Sequence, residues 1–373
     1  MKTVKIALIM LIALLASALI ALRVTYGGGE YYPDLSTPPA IPNDSLEVFF
    51  EFEEPLGNIA VSSGNRVFFT IHPESRPDQN RLMEIINGKA THYPNREVQK
   101  EYFQTVLGLM IDQQNRLWTI DHGFHGLGST RLLAFDLSTD ELVYDHTFNS
   151  QIAQEGSFFN DLQVSNDGRY IYITDVSFFR KNPALIVHDT ETSTSKRLLE
   201  NQVSVSAQDW IIQTSIKDMV FFGLVALKPG IDGIALDTSG EYIYYGTMAH
   251  DKLYKVSTKL LHESHYITDN DVEIVGNKPM SDGLTIDSVG NIYITDVEHN
   301  GIAKLNQKGS LTTQIKDDRI RWADGLSFGG DGYLYFTDSA IPDQMIRSKS
   351  HIEASAPYQI FRYRPETGGV PGR

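Results

Sequence analysis

The sequence contains no cysteine. That excludes disulfides, thiolate metal sites, a cysteine nucleophile and a lipid-modified cysteine, and it leaves an extracytoplasmic location open. Positive charge is scarce: 32 Lys and Arg stand against 47 Asp and Glu, a net charge of −15. Such a chain repels phosphates, which argues against nucleic acid as a partner, and the charge reads as solubility. No P-loop, dinucleotide fingerprint or G-x-S-x-G elbow occurs in it. Helical periodicity is missing beyond the first two dozen residues, so strands have to build the fold.

One long apolar run is present, residues 6–22, broken only by Ser17 and preceded by Lys2 and Lys5. A basic start, an apolar stretch and an Ala16-Ser17-Ala18 site are the marks of a secretory signal peptide, which predicts a secreted or periplasmic protein. The run is near the lower limit for a spanning helix, so an uncleaved N-terminal anchor is the alternative, and it is the only membrane contact expected. Residues 1–29 are assigned to this segment. Residues 30–45, the core of a Gly/Pro-rich stretch, read as a linker.

Residues 46–363 repeat one unit. Residues 281–296, SDGLTIDSVGNIYITD, give a polar residue and Gly, a short apolar strand, a turn, and a second strand ending in Asp. Copies start at Gly57, Leu107, Asn160, Asp232, Asp282 and Asp324, at steps of 50, 53, 72, 50 and 42 residues. A four-stranded propeller blade takes roughly 40–50 residues. The expected fold is therefore all-β, a six-bladed β-propeller of four-stranded antiparallel blades. Segments 46–52 (LEVFFEF) and 358–363 (YQIFRY) each lack a partner in their own unit and are expected side by side in one closing blade. Residues 364–373 read as a tail. The 72-residue step holds an insertion within 202–228, which suits either a lid over one face or a satellite packing element.

Inner strands of a propeller run along its central channel, so their leading residues ring one mouth. Asn160, Asp232, Asp282 and Asp324 hold that station in four blades. These oxygen ligands suit Ca²⁺ or Mg²⁺, with Asn160, Asp232 and Asp282 as the metal set. Taken singly, an Asp-Gly pair is also a common turn dipeptide. Several carboxylates on one axis, however, require a cation, a proton or fixed N–H donors. Asp121, Asp175, Asp296 and Asp338, which end the second strands, read as turn caps. His122 and His125, in DHGFHG, are candidate acid/base groups at the mouth or ordinary loop histidines. His250 and His299 follow equivalent strands. Phe124, Phe178, Phe179 and Trp322 offer apolar walls or core packing.

Residues 72–95, 160–175, 184–199, 230–237 and 321–339 (RWADGLSFGGDGYLYFTDS in the last case) resemble the major royal jelly protein/yellow family. The resemblance runs in order through most of the repeat region. It implies a six-bladed, usually secreted propeller that binds small molecules such as biogenic amines, with dopachrome conversion in some yellow proteins. This chain departs from the family in lacking cysteine. A second resemblance is to the regucalcin/gluconolactonase group, whose Glu, Asn and Asp hold a divalent metal. Asn160 and Asp232 or Asp282 match that pattern, but the first-blade Glu falls at Gly57 or Asn58, a departure from the metal-dependent lactone hydrolases. The expectation is an exported propeller binding a small organic ligand at the channel. The alternatives are a lactonase- or tautomerase-like enzyme and a protein-interaction scaffold.

Overall fold

The strands lie where the repeat puts them. The computed structural model describes residues 2–373; Met1, at the head of the expected signal segment, lies outside the described residues. Blade 1 is Leu56–Val61, Val67–Ile71, Leu82–Ile86 and Lys89–His92. Blade 2 is Val106–Ile111, Arg116–Asp121, Arg131–Asp136 and Glu141–Thr147. Blade 3 is Phe159–Val164, Tyr170–Asp175, Ala184–Asp189 and Thr194–Leu198. Blade 4 is Ile231–Leu236, Tyr242–Thr247, Lys252–Ser257 and Glu273–Asn277. Blade 5 is Leu284–Ile286, Ile292–Asp296, Gly301–Leu305 and Leu311–Lys316. Blade 6 takes Ala323–Phe328, Leu334–Asp338 and Tyr358–Tyr363, and is completed by Glu47–Phe52. All pairings within the blades are antiparallel, so the structure is a six-bladed propeller.

Ring closure is the pairing of Glu47–Phe52 with Tyr358–Tyr363, in the register Glu47 to Arg362 and Phe52 to Tyr358. It ties the two ends of the repeat region together with main-chain bonds. Burial follows strand position. Inner strands such as Ile231–Leu236 are buried at every residue, whereas the outer strand Glu141–Thr147 alternates exposed and half-buried. Apolar side chains form clusters between neighbouring blades, for instance Trp118 and Leu132 of blade 2 with Phe159 and Ile171 of blade 3. A further cluster, with Met248, Met280 and Trp322, sits under the mouth. Among the described residues, no helix after residue 26 is longer than the seven residues of Arg96–Tyr102.

Two segments are more ordered than their composition suggests. In the stretch read as a linker, Glu30–Tyr31 pairs with Trp210–Ile211, and Ala40 and Ile41 donate to the carbonyls of Thr313 and Gln314 on blade 5's outer strand. Residues 364–373, read as a tail, fold back under the channel. Ile111 N donates to Gly372 O, and Phe328 N to Arg373 O, so backbone groups left open on the inner strands of blades 2 and 6 are satisfied.

Three of the aspartates ending second strands cap the segment that leads into the neighbouring inner strand. Asp121 accepts from Gln104 N and Thr105 N, Asp175 from Phe158 N, and Asp338 from Arg321 N and Trp322 N. Asp296 caps its own turn through His299 N. Asp175 also binds the buried Arg197 at 2.8 Å. Asp175→Ala removes the fully buried partner of that guanidinium, leaving it Glu200 and the carbonyls of Ile152 and Asn182, and is expected to cost about 3 kcal/mol. Asp145→Ala, which breaks the outer-strand pair with Arg131 at 2.6 Å, is expected to cost below about 1 kcal/mol. Urea unfolding midpoints of the two variants check the contrast.

Candidate functional site

The first residues of the inner strands meet at one mouth of the channel, and a local irregularity sharpens that meeting. In blade 3, Phe159 pairs with Asp175 but Leu162 pairs with Ile173, so one extra residue is inserted at the strand's start. Blades 1, 2, 4 and 6 carry the same shift. A bulge re-aims side chains, and here two successive residues reach the channel: Asn160 lines the cavity at the mouth and Asp161 a small void beneath it.

The glycine of each Asp-Gly pair has a steric rather than a turn role. A Cβ on Gly283 would lie 2.1 Å from Asp324 O, and one on Gly233 would lie 2.5 Å from Asp282 O. Inner strands approach each other so closely at this level that no side chain fits. The motif therefore marks strand convergence.

That convergence brings Asn160, Asp232, Asp282 and Asp324, all buried, onto the floor of one cavity. Asn160 Nδ2 donates to Asp232 Oδ1. Trp322 Nε1 donates to Asp282 Oδ2 at 2.6 Å. Across the channel, Asn58 Nδ2 donates to Asp161 Oδ1 at 2.6 Å. Burial, and then the charges of neighbouring aspartates, push Asp232 and Asp324 well above the usual carboxylate range. Burial and the Asp282 charge raise Asp161 to about 8. Burial raises Asp282 to about 6, with the Trp322 hydrogen bond opposing it. The floor is short of positive charge. Lys278 is buried nearby, but its Nζ donates to Met248 O, Pro279 O and Ser281 Oγ. It holds the loop leading into Asp282, and burial brings its pKa down to about 7.

Above the floor the cavity measures about 370 Å³ and its walls are apolar. Phe158, Phe178, Phe179 and Trp322 contribute from the blades, and Phe221, Phe222 and Leu227 from the 202–228 insertion, which lies over the mouth. Phe124 belongs to an adjoining pocket between blades 1 and 2.

His122 and His125 stand beside this cavity, in a sharp turn where Phe124 and His125 take left-handed φ values of 50° and 58°. Non-glycine residues are held there only when their surroundings demand it. His125 lines the cavity, and its Nε2 lies 3.0 Å from Glu74 Oε1. His122 is buried, stacks on Phe158 at 4.1 Å between centroids, and accepts from His125 N through Nδ1. Burial, with the charges of His125 and His72 adding to it, holds His122 well below its ordinary range. Burial of Glu74 acts to raise its pKa, but the hydrogen bond and charge of His125 outweigh it and keep Glu74 ionised. His250 and His299 do not join the site: His250 packs on Tyr254, and His299 binds Asp296 and Asp34. Asn58, Glu74, Phe158 and Asp161 are the residues that sequence reasoning missed. Asn58 and Asp161 sit one place after the repeat's leading residue, a position read as a glycine slot, and Glu74 lies in a loop outside the repeated unit.

A hard cation suits this donor set chemically. As the side chains stand, however, Asp232 and Asp282 are each engaged by an N–H donor, from Asn160 and Trp322. The place of the lactonase glutamate holds Gly57 and Asn58, without a carboxylate.

A family model described as Major royal jelly protein matches residues 104–328. Major royal jelly protein 3 of Apis mellifera is 25% identical over 224 residues, covering 56% of this chain and 39% of that protein. Major royal jelly protein 7 of the same organism is 27% identical over 224 residues, covering 56% and 48%. The matched region thus spans less than half the length of these relatives. Among solved structures, a luciferin-regenerating enzyme superposes with a TM-score of 0.57 at 12% identity, covering 88% of this chain and 97% of that one. A gluconolactonase from Xanthomonas campestris gives 0.57 at 13%, covering 91% and 98%. The calcium-binding protein regucalcin from Agrobacterium tumefaciens gives 0.54 at 14%, covering 87% and 98%. At these identities the structural likeness is one of fold.

The raised carboxylates predict a pH dependence. In the folded state Asp161 keeps its proton up to about pH 8, whereas an unfolded aspartate loses it near 4. Folding therefore takes up protons between those values, and this contribution to stability falls as pH rises through that window. Melting temperatures from pH 4 to 8 are expected to drop more for the wild type than for Asp161→Asn. Parallel curves would contradict the assignment.

Proposed function

This chain belongs to the major royal jelly protein family, and from that premise we propose that it is an extracytoplasmic propeller that binds a small organic ligand with an apolar body and a cationic end. The observation that carries this reading is an aromatic-walled cavity of about 370 Å³ closed below by Asn160, Asp232, Asp282 and Asp324. Cavities of this size with apolar walls and a few converging polar groups suit small molecules. Aromatic faces and carboxylates both attract an organic cation. A ligand ammonium also supplies the positive charge that the floor lacks, drawing protons off the carboxylates it meets.

Calorimetry with aromatic amines tests this. The expected result is saturable heat without turnover, weakened at least tenfold, about 1.4 kcal/mol, by Asp232→Asn. Amines that give no heat, or the same affinity in both proteins, would reject the reading.

A second reading, a lactonase- or tautomerase-like enzyme, is favoured by the Glu74–His125 pair on the cavity wall. A carboxylate 3.0 Å from an imidazole orients it for proton transfer. In this reading Asn160, Asp232 and Asp282 would hold Ca²⁺ or Mg²⁺, a Lewis acid for a bound carbonyl. Product from lactones or dopachrome, lost in His125→Gln, is its signature. Calcium or magnesium should then stabilise the fold, by about 2.7 kcal/mol at a hundredfold excess over Kd. Asp282→Ala should abolish that response and Asp296→Ala should keep it. A melting temperature indifferent to divalent ions and to chelator removes the cation.

A further inference from the structure

We infer that the channel mouth is a membrane-docking face, seated on a phospholipid bilayer by the retained helix Lys2–Tyr26 and a collar of exposed apolar side chains. The occupant of this face is the lipid bilayer.

The helix carries an apolar stretch, Thr3–Tyr26, of 24 residues, exposed along its length as far as the half-buried Tyr26. At 1.5 Å per residue it reaches about 36 Å, enough for a hydrocarbon core of about 30 Å. Length alone would suit a signal peptide equally well. Where the helix ends is the second observation. Leu22 lines the mouth cavity. Tyr26 donates its hydroxyl to Phe179 O at 2.7 Å, and its ring lies 5.8 Å from that of Phe178. Lys181 Nζ sits 5.0 Å over the Tyr26 ring and 4.6 Å over Phe178. A helix so joined brings any bilayer it crosses to the mouth rather than to the propeller's side.

The mouth is built to meet one. Phe222 is 81% exposed and Leu127 76%, and Phe124, Phe179 and Ile346 are also exposed. Phe179, Phe222 and Ile346 rim the same cavity that Leu22 lines. Phe124 and Leu127 flank His125, which lines that cavity, on the loop after blade 2's second strand, and large apolar side chains in water on one such face mark an interaction surface. Tyr26, the last residue of the helix, and Lys181 over its ring are of the types that settle in a headgroup layer.

The absence of cysteine makes a direct test clean. Full-length Phe222→Cys, Leu127→Cys and, at the opposite end of the channel, Val289→Cys proteins are labelled with an environment-sensitive fluorophore. They are then reconstituted into phosphatidylcholine/phosphatidylserine vesicles. The expected result is a shift to shorter emission wavelength and quenching by spin-labelled lipid at positions 222 and 127, with neither at 289. Vesicle-bound protein in which all three positions stay unquenched would show a tether without a docked mouth and overturn the inference. So would isolation of the natural protein from its host only as a soluble chain starting after the helix. Ligand delivery from the bilayer rests on the binding reading above, but the docking does not. Asp232→Asn is expected to leave the quenching pattern unchanged while weakening amine binding, so the two readings fail separately.

Discussion

Mutual repulsion among Asp161, Asp232, Asp282 and Asp324 is the constraint on which the centre of this molecule turns. A repeat that writes the same residue at the same station is harmless in an extended chain. Closing the ring brings those stations onto one axis and takes them out of water. Two features make the meeting closer. Glycines at 233 and 283 let neighbouring inner strands approach until a Cβ would collide with a carbonyl. Bulges at the strand starts turn a second residue inward, as with Asp161 beside Asn160. The fold answers with N–H donors from Asn58, Asn160 and Trp322 and with retained protons. Two buried cations lie near the channel: Lys278 spends its donors on two carbonyls and Ser281, and Arg373, which lines the void beneath the ring with Asp161, donates through Nη2 to Val164 O and Asn166 Oδ1.

The same residue type one strand away shows the other solution. Asp175 and Asp338 are also fully buried, yet each has an arginine within 2.8 Å, Arg197 and Arg321, as well as backbone N–H donors. Their charge is matched inside the protein, and their work is to fix the segment feeding an inner strand. Asp121, buried at the same station of blade 2, is held instead by N–H donors from Gln104, Thr105 and Gly123. The ring has no arginine partner of the Arg197 or Arg321 kind among the described residues, and on the binding reading proposed above a ligand would bring the matching charge.

Much of this was legible in the chain, for identifiable reasons. Six recognisable strand–turn–strand units give the blade number even though one step is stretched by the 202–228 insertion, and the unpaired segments 46–52 and 358–363 reveal the closing blade. Asn160, Asp232, Asp282 and Asp324 stand at one phase of the repeat, so symmetry places them together. What escaped depends on departures from that symmetry. Asp161 and Asn58 occupy a position filled by glycine in the other four blades. Glu74 meets His125 only through a loop of blade 1 packing beside a loop of blade 2. The role of Asp-Gly was hidden because the pair is common in turns, whereas here the glycine answers to a neighbouring strand's carbonyl. The order in 30–45 and 364–373 comes from hydrogen bonds to strand edges, which local composition does not report.

The mouth grades from exposed phenylalanines, through a partly buried aromatic wall, to buried carboxylates. An amphiphile in a bilayer is already oriented, with its polar end at the interface and its apolar body in the chains. On the readings proposed above, a molecule leaving the lipid through this mouth travels polar end first. Its cationic group then reaches the Asp ring while Phe158, Phe178 and Trp322 replace the acyl chains around its body, so little apolar surface is exposed to water along the way. A ligand arriving from bulk water would instead have to pass the apolar collar with its charge still hydrated, and would gain from the aromatic walls only after entry. The order of surfaces along the channel therefore favours the membrane side as the source, and it gives the collar and the carboxylate floor complementary parts in one path.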